Sequence, residues 1–94
     1  MKWLEIIEIR STDTPRERFE NILQDLIKDV EGESHQHNIR VFFRKSIDSD
    51  YSIHLFHDSI IEEGDYCELG VQLSSALLDF GFVHHSVWSE LKTN

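Results

Sequence analysis

One cysteine in 94 residues, Cys67, leaves no partner for an internal disulfide, and one proline with four glycines leaves little of the turn chemistry that a loop-rich scaffold needs. No apolar run approaches the roughly 20 residues of a membrane-spanning helix. The N-terminal stretch MKWLEIIEIR breaks its apolar residues with Glu5 and Glu8, where a secretory signal needs an uninterrupted apolar segment. The expectation is therefore a cytoplasmic chain. Positive charge is also scarce. Nine basic residues against eighteen acidic ones give a formal net charge of −9, which repels phosphate backbones and anionic bilayers. Neither a nucleic acid nor a membrane is an expected partner.

What is present suffices for one folded domain, residues 1–94. With 39% hydrophobic and 29% charged residues, the composition lies outside the regime of disorder. A chain this short buries only about 60–65% of its unfolded surface, so further burial by self-association would help it.

The best-defined stretch is DYCELGVQLSSALLDFGFVHHSVW, Asp65 to Trp88. Asp65 and Glu68 have the spacing of a helix N-cap with its reciprocal acid, and Leu69, Leu73, Ala76, Leu77 and Phe80 recur at helical intervals. Gly81 then has the character of a left-handed stop, and Phe82–Trp88 reads as a strand. Upstream, Trp3–Arg10 is apolar in both phases of a two-residue period, as a central strand should be. Thr14, Pro15 and Glu17 open a helix whose stripe is Phe19, Ile22, Leu23, Leu26, Ile27 and Val30, with Gly32 at its end. The polar run Glu33–Asn38 reads as a loop. Ile39–Lys45 and Tyr51–Asp58 read as two strands of a hairpin around Ser46–Asp50. Ser59–Gly64 would connect them to the second helix.

The order β-α-β-β-α-β, closed by right-handed crossovers, predicts an α+β ferredoxin-like fold. It is a four-stranded antiparallel sheet in spatial order four, one, three, two, with two helices on one face. Ile39, Val41, Ile53, Leu55, Val83 and Val87 should face the helices. The second face then carries Arg40, Phe42, Arg44, His54, Phe56, His84, Ser86 and Trp88, whose rings are too apolar to stay bare. An RNA-recognition module stacks bases on such a face, but YSIHLFHD lacks the required basic, glycine and paired-aromatic motif. The tail from Ser89 to Asn94 is too short and polar to cover a sheet. Dimerisation is the expected cover.

In element order and sheet-face chemistry, across nearly the whole chain, the sequence resembles the dimeric α+β barrel superfamily, which includes the antibiotic biosynthesis monooxygenase-like proteins. That resemblance implies two protomers meeting sheet to sheet, with a ligand pocket between sheet and helices. Haem-degrading members of the superfamily use an asparagine, a tryptophan and a helix-borne histidine. Here Trp88 lies on the last strand and neither predicted helix has a histidine, so no catalytic residue carries over.

Arg40, Arg44, His54, Phe56, His84 and Trp88 are the candidate ligand-binding residues, suited to an anionic or aromatic small molecule, with the histidines as donors or acid/base groups. The competing reading makes His54 and His84 hydrogen-bonding groups of a packed interface. His84 and His85 point to opposite faces of a strand, as do His54 and His57, so neither pair chelates one metal. His35 and His37 read as a solvated loop, and Glu62, Glu63, Asp65 and Glu68 as helix-capping charge. Cys67 reads as a structural thiol. No metal site and no cofactor are expected. There is no nucleophile-elbow or phosphate-cradling glycine pattern. The functional expectation is a small homodimeric binding or structural module. The alternative is a cofactor-independent, monooxygenase-like enzyme with a small-molecule pocket on the sheet face.

Overall fold

The computed structural model describes residues 2–33, 38–58 and 67–93. Its elements are β1 (Trp3–Ser11), α1 (Arg16–Glu33), β2 (Asn38–Phe43), β3 (Asp50–His57), α2 (Glu68–Leu77) and β4 (Gly81–Ser89). They form one sheet in the order β2-β3-β1-β4, with every neighbouring pair antiparallel. The ferredoxin-like arrangement expected from the sequence is the one observed.

Burial alternates along β1, with Trp3, Glu5, Ile7 and Ile9 buried toward the helices. Leu4 and Ile6 occupy the other face and are half-buried. The core joins Ile7, Ile9, Tyr51, Ile53 and Leu55 of the sheet to Phe19 and Leu23 of α1 and Leu69, Leu73 and Leu77 of α2. Full burial of each large apolar side chain stabilises the fold by about 1.5–3 kcal/mol before chain entropy is counted. Phe19 is central, tilted against Tyr51 and Phe80 at ring-centroid distances of 5.0 and 6.0 Å. The helices cover β2 least. Val41 and Phe43 have the register of the helix side, yet they remain 41% and 56% exposed, and the Arg16 guanidinium lies over the Phe43 ring.

α1 runs on through Gly32 to Glu33, β2 is Asn38–Phe43 rather than Ile39–Lys45, and both ends of α2 differ from the sequence reading. Cys67 is the N-cap of α2, its Sγ accepting from the Gly70 amide; Asp65, the expected cap, lies outside the described residues. So do residues 34–37 and the connector 59–64. At the other end, α2 stops at Leu77 with Leu78 still right-handed, and Gly81 opens β4 rather than ending the helix. Its lack of a side chain serves a close approach: a Cβ there would run into the Arg10 carbonyl of β1.

Candidate functional site

Between sheet and helices, the side chain of Glu5 is fully buried in the middle of β1. A lone carboxylate in that position would be costly to desolvate. Register solves the problem. Glu5 is flanked by Leu55 and Val87, while His57 lies beside Trp3 one row toward one end and His85 beside Ile7 one row toward the other. The two imidazoles therefore reach Glu5 along opposite diagonals. His57 Nε2 lies 2.8 Å from Oε2 and His85 Nε2 lies 3.0 Å from Oε1.

The first residue ahead of α2 completes the shell. The Cys67 amide donates to Oε1 at 3.0 Å and its thiol donates to Oε2 at 2.6 Å, so each carboxylate oxygen accepts two hydrogen bonds. A helix N-terminus favours negative charge at this point. The thiol meanwhile accepts from the Gly70 amide at 3.2 Å. Burial pushes the Cys67 thiol up to about 11, reinforced by its hydrogen bond to Glu5. Gly70 is what allows α2 to come this close, because a Cβ there would sit 2.5 Å from Glu5 Oε1. Trp3 stacks on His57 at 3.8 Å between ring centroids and fixes the ring from its other side. Glu5, His57 and Cys67 offer donor atoms that all lie within 4.8 Å of one another.

His57 and Trp3 also line a cleft of about 620 Å³ at the end of the sheet, together with Phe56, Trp88, Asn38 and Lys2. Trp3 is buried, and its indole Nε1 has no hydrogen-bond partner among the described residues.

Five of the six residues singled out from sequence fall in successive rows on the open face. Phe56 and Trp88 flank Leu4, Arg40 and His54 are adjacent beside Ile6, and His84 lies across from Glu8 one row further. Phe56 and Trp88 thus reach the cleft. His84 lines a separate depression of about 250 Å³ with Glu8, Arg10, Asp50 and Phe82. His54 and His84 stand on either side of β1 with backbones about 12 Å apart, two strand spacings across and two residues along. Any ligand shared between them must lie over Ile6 and Glu8. His54 instead contacts Ser52 Oγ at 2.7 Å and the edge of Phe42 at 4.8 Å, and burial holds its pKa below the usual imidazole value, against the pull of Glu8. Arg40 lies over the Phe56 ring at 5.9 Å, and the Trp88 indole donates to Ser86 Oγ at 2.8 Å. Arg44 follows the end of β2 and pairs with Asp50, as does Arg10. The hydrogen bond from Arg10 holds the Asp50 carboxyl below its usual range, with burial opposing it and Ser49 and Arg44 assisting.

The sequence carried a signal for the Glu5 cluster that the motif spacings did not use. Glu5, His57 and His85 each occupy the helix-facing phase of their strands, where apolar residues are the rule. What was missing was register, and the approach of Cys67 from a different element.

No protein-family model matches the chain, and no curated protein sequence does. Solved structures do. SnoaB, a cofactor-independent oxygenase from Streptomyces nogalater, superposes with a TM-score of 0.69 at 9% identity over 98% of this chain and 95% of its own. Rv0793 from Mycobacterium tuberculosis gives 0.67 at 10% identity over 99% and 98%. In fold, the chain resembles the antibiotic biosynthesis monooxygenase-like proteins. A formyltetrahydrofolate deformylase from Pseudomonas putida KT2440 matches through 29% of its length, with a TM-score of 0.50 at 11% identity, so the same sheet-and-helix unit also occurs within a larger protein. At these identities the likeness is one of architecture.

Proposed function

We propose that the protein works as a homodimer that meets its partner through the open sheet face. The observation that carries this reading is the exposure of four rings on one face: Phe42 at 48%, Phe56 at 37%, Phe82 at 73% and Trp88 at 56%. At about half exposure they present roughly 400 Å² of apolar surface, comparable to the largest patches of soluble monomers, which are often functional. Arg40 over Phe56 adds the residue pairing that interfaces favour. Light scattering at micromolar concentration should return the mass of two chains. Phe56→Glu, which places an unpaired charge in that contact, should shift the mass toward one chain. A monomeric parent protein, or a variant that assembles as tightly as the parent, would remove this reading.

A second reading, a small-molecule enzyme or binder, is favoured by the end cleft. Its walls are aromatic, and His57 is held there by Glu5. The fold shared with a cofactor-independent oxygenase is consistent with it. A thermal-shift screen with planar aromatic and anionic compounds should give hits on the parent that Trp88→Ala weakens. No hit, or equal shifts in both proteins, would count against a ligand in the cleft.

A further inference from the structure

From Glu5, His57 and Cys67 we infer a binding site for a borderline-soft divalent ion of the zinc class, beneath the N-terminus of α2. The inference is independent of the dimer, and it shares His57 with the end cleft.

Three kinds of donor converge there: a carboxylate oxygen, an imidazole nitrogen and a thiol sulfur. This mixture suits Zn²⁺ and Co²⁺ and disfavours Mg²⁺ and Ca²⁺, which take oxygen donors. The atoms already sit at one point. Glu5 Oε2 is 2.8 Å from His57 Nε2 and 2.6 Å from Cys67 Sγ. Tetrahedral ligands at Zn–N, Zn–O and Zn–S lengths of about 2.0–2.3 Å stand roughly 3.4–3.6 Å apart. Admitting the ion therefore requires the two edges that meet at Glu5 Oε2 to open by under about 1 Å, within reach of side-chain rotation.

Charge closes as well. The thiol gives its proton to solvent on binding, so one thiolate and one carboxylate neutralise the divalent ion in a site where Glu5 is fully buried. The remaining groups are arranged as an outer shell. His85 and the Cys67 amide hold Oε1, the oxygen left over. The Gly70 amide donates to Sγ and would support the thiolate, and Trp3 holds the plane of His57.

The test uses the intact chain, stripped with a chelator and titrated with Co²⁺ and then Zn²⁺. Binding of one Co²⁺ per chain with a thiolate-to-cobalt charge-transfer band in the near ultraviolet, displaced by Zn²⁺, is the expected result. Cys67→Ser should abolish the band, and His57→Ala, which removes a direct ligand, should weaken Zn²⁺ binding by more than the roughly 10- to 100-fold typical of losing an outer-shell partner. His35→Ala with His37→Ala removes these two imidazoles as an alternative source and should leave the band unchanged. The band in the unmutated protein decides the matter even if a variant fails to fold. Absence of stoichiometric binding, binding without the thiolate band, or loss of binding in the His35→Ala, His37→Ala variant would overturn the assignment.

Discussion

Gly70 leaves the space that Glu5 fills: a methyl group on Gly70 would stand 2.5 Å from Oε1, so the helix and the buried carboxylate are fitted to one another. Gly70→Ala should cost about 1–3 kcal/mol by overpacking. Glu5→Asp, shorter by a methylene, should recover part of that loss when the two changes are combined. Urea denaturation of the four proteins of the cycle measures the coupling. Simple additivity would mean that α2 does not press on the carboxylate.

Replacing Glu5 by Gln keeps the shape and presents an amide NH₂ to groups that now donate to oxygen. The expected loss is about 1–3 kcal/mol in urea or thermal unfolding, from donors left without an acceptor. A variant as stable as the parent would show that the shell around Glu5 contributes little.

Gly81→Ala drives a Cβ into the Arg10 carbonyl between β4 and β1. A loss of about 2–4 kcal/mol is expected, since the obstacle is backbone and cannot swing away. Amide hydrogen exchange should show the opening concentrated at the β1–β4 ladder, where Ser11 pairs with Gly81.

His54 has its folded pKa depressed below 6.5 by burial. Below 6.5 the unfolded chain binds this proton more readily than the folded one, so stability falls as pH drops from 6.5 toward the folded value. Titration of the imidazole resonance by NMR should place its midpoint below 6.5. His54→Ala should remove that contribution to the acid limb. Asp50 has the same sign at lower pH: its depressed carboxyl stabilises the fold above the unfolded value near 4 and loses that contribution as pH falls through the folded one.

His54 and His84 also separate an interface from a ligand site. In an interface, either change to Ala should lower dimer stability by about 1–3 kcal/mol through groups left unsatisfied. In a ligand site, the dimer persists and the ligand-induced rise in melting temperature shrinks instead. Dilution light scattering and thermal shift, run on the same samples, distinguish the two.

Periodicity in the chain was enough to set the elements and the topology. Two-sided hydrophobicity placed β1 at the centre, and alternation assigned Ile53 and Leu55 to one face and His54 and Phe56 to the other, because a strand's side chains obey a two-residue rule that needs no partner. The same alternation placed His57 beside Ile53 and Leu55 on the helix side. It could not say what His57 meets there, because the acceptor, Glu5, is 52 residues away and lies one row across on another strand. Gly81 shows the limit from the other direction: a glycine after a helical stripe suggests a helix stop, but the constraint here comes from the neighbouring strand. Register and helix approach are tertiary quantities, set by how two layers pack. They alone turned a buried acid, two histidines and one cysteine, scattered from residue 5 to residue 85, into a single cluster.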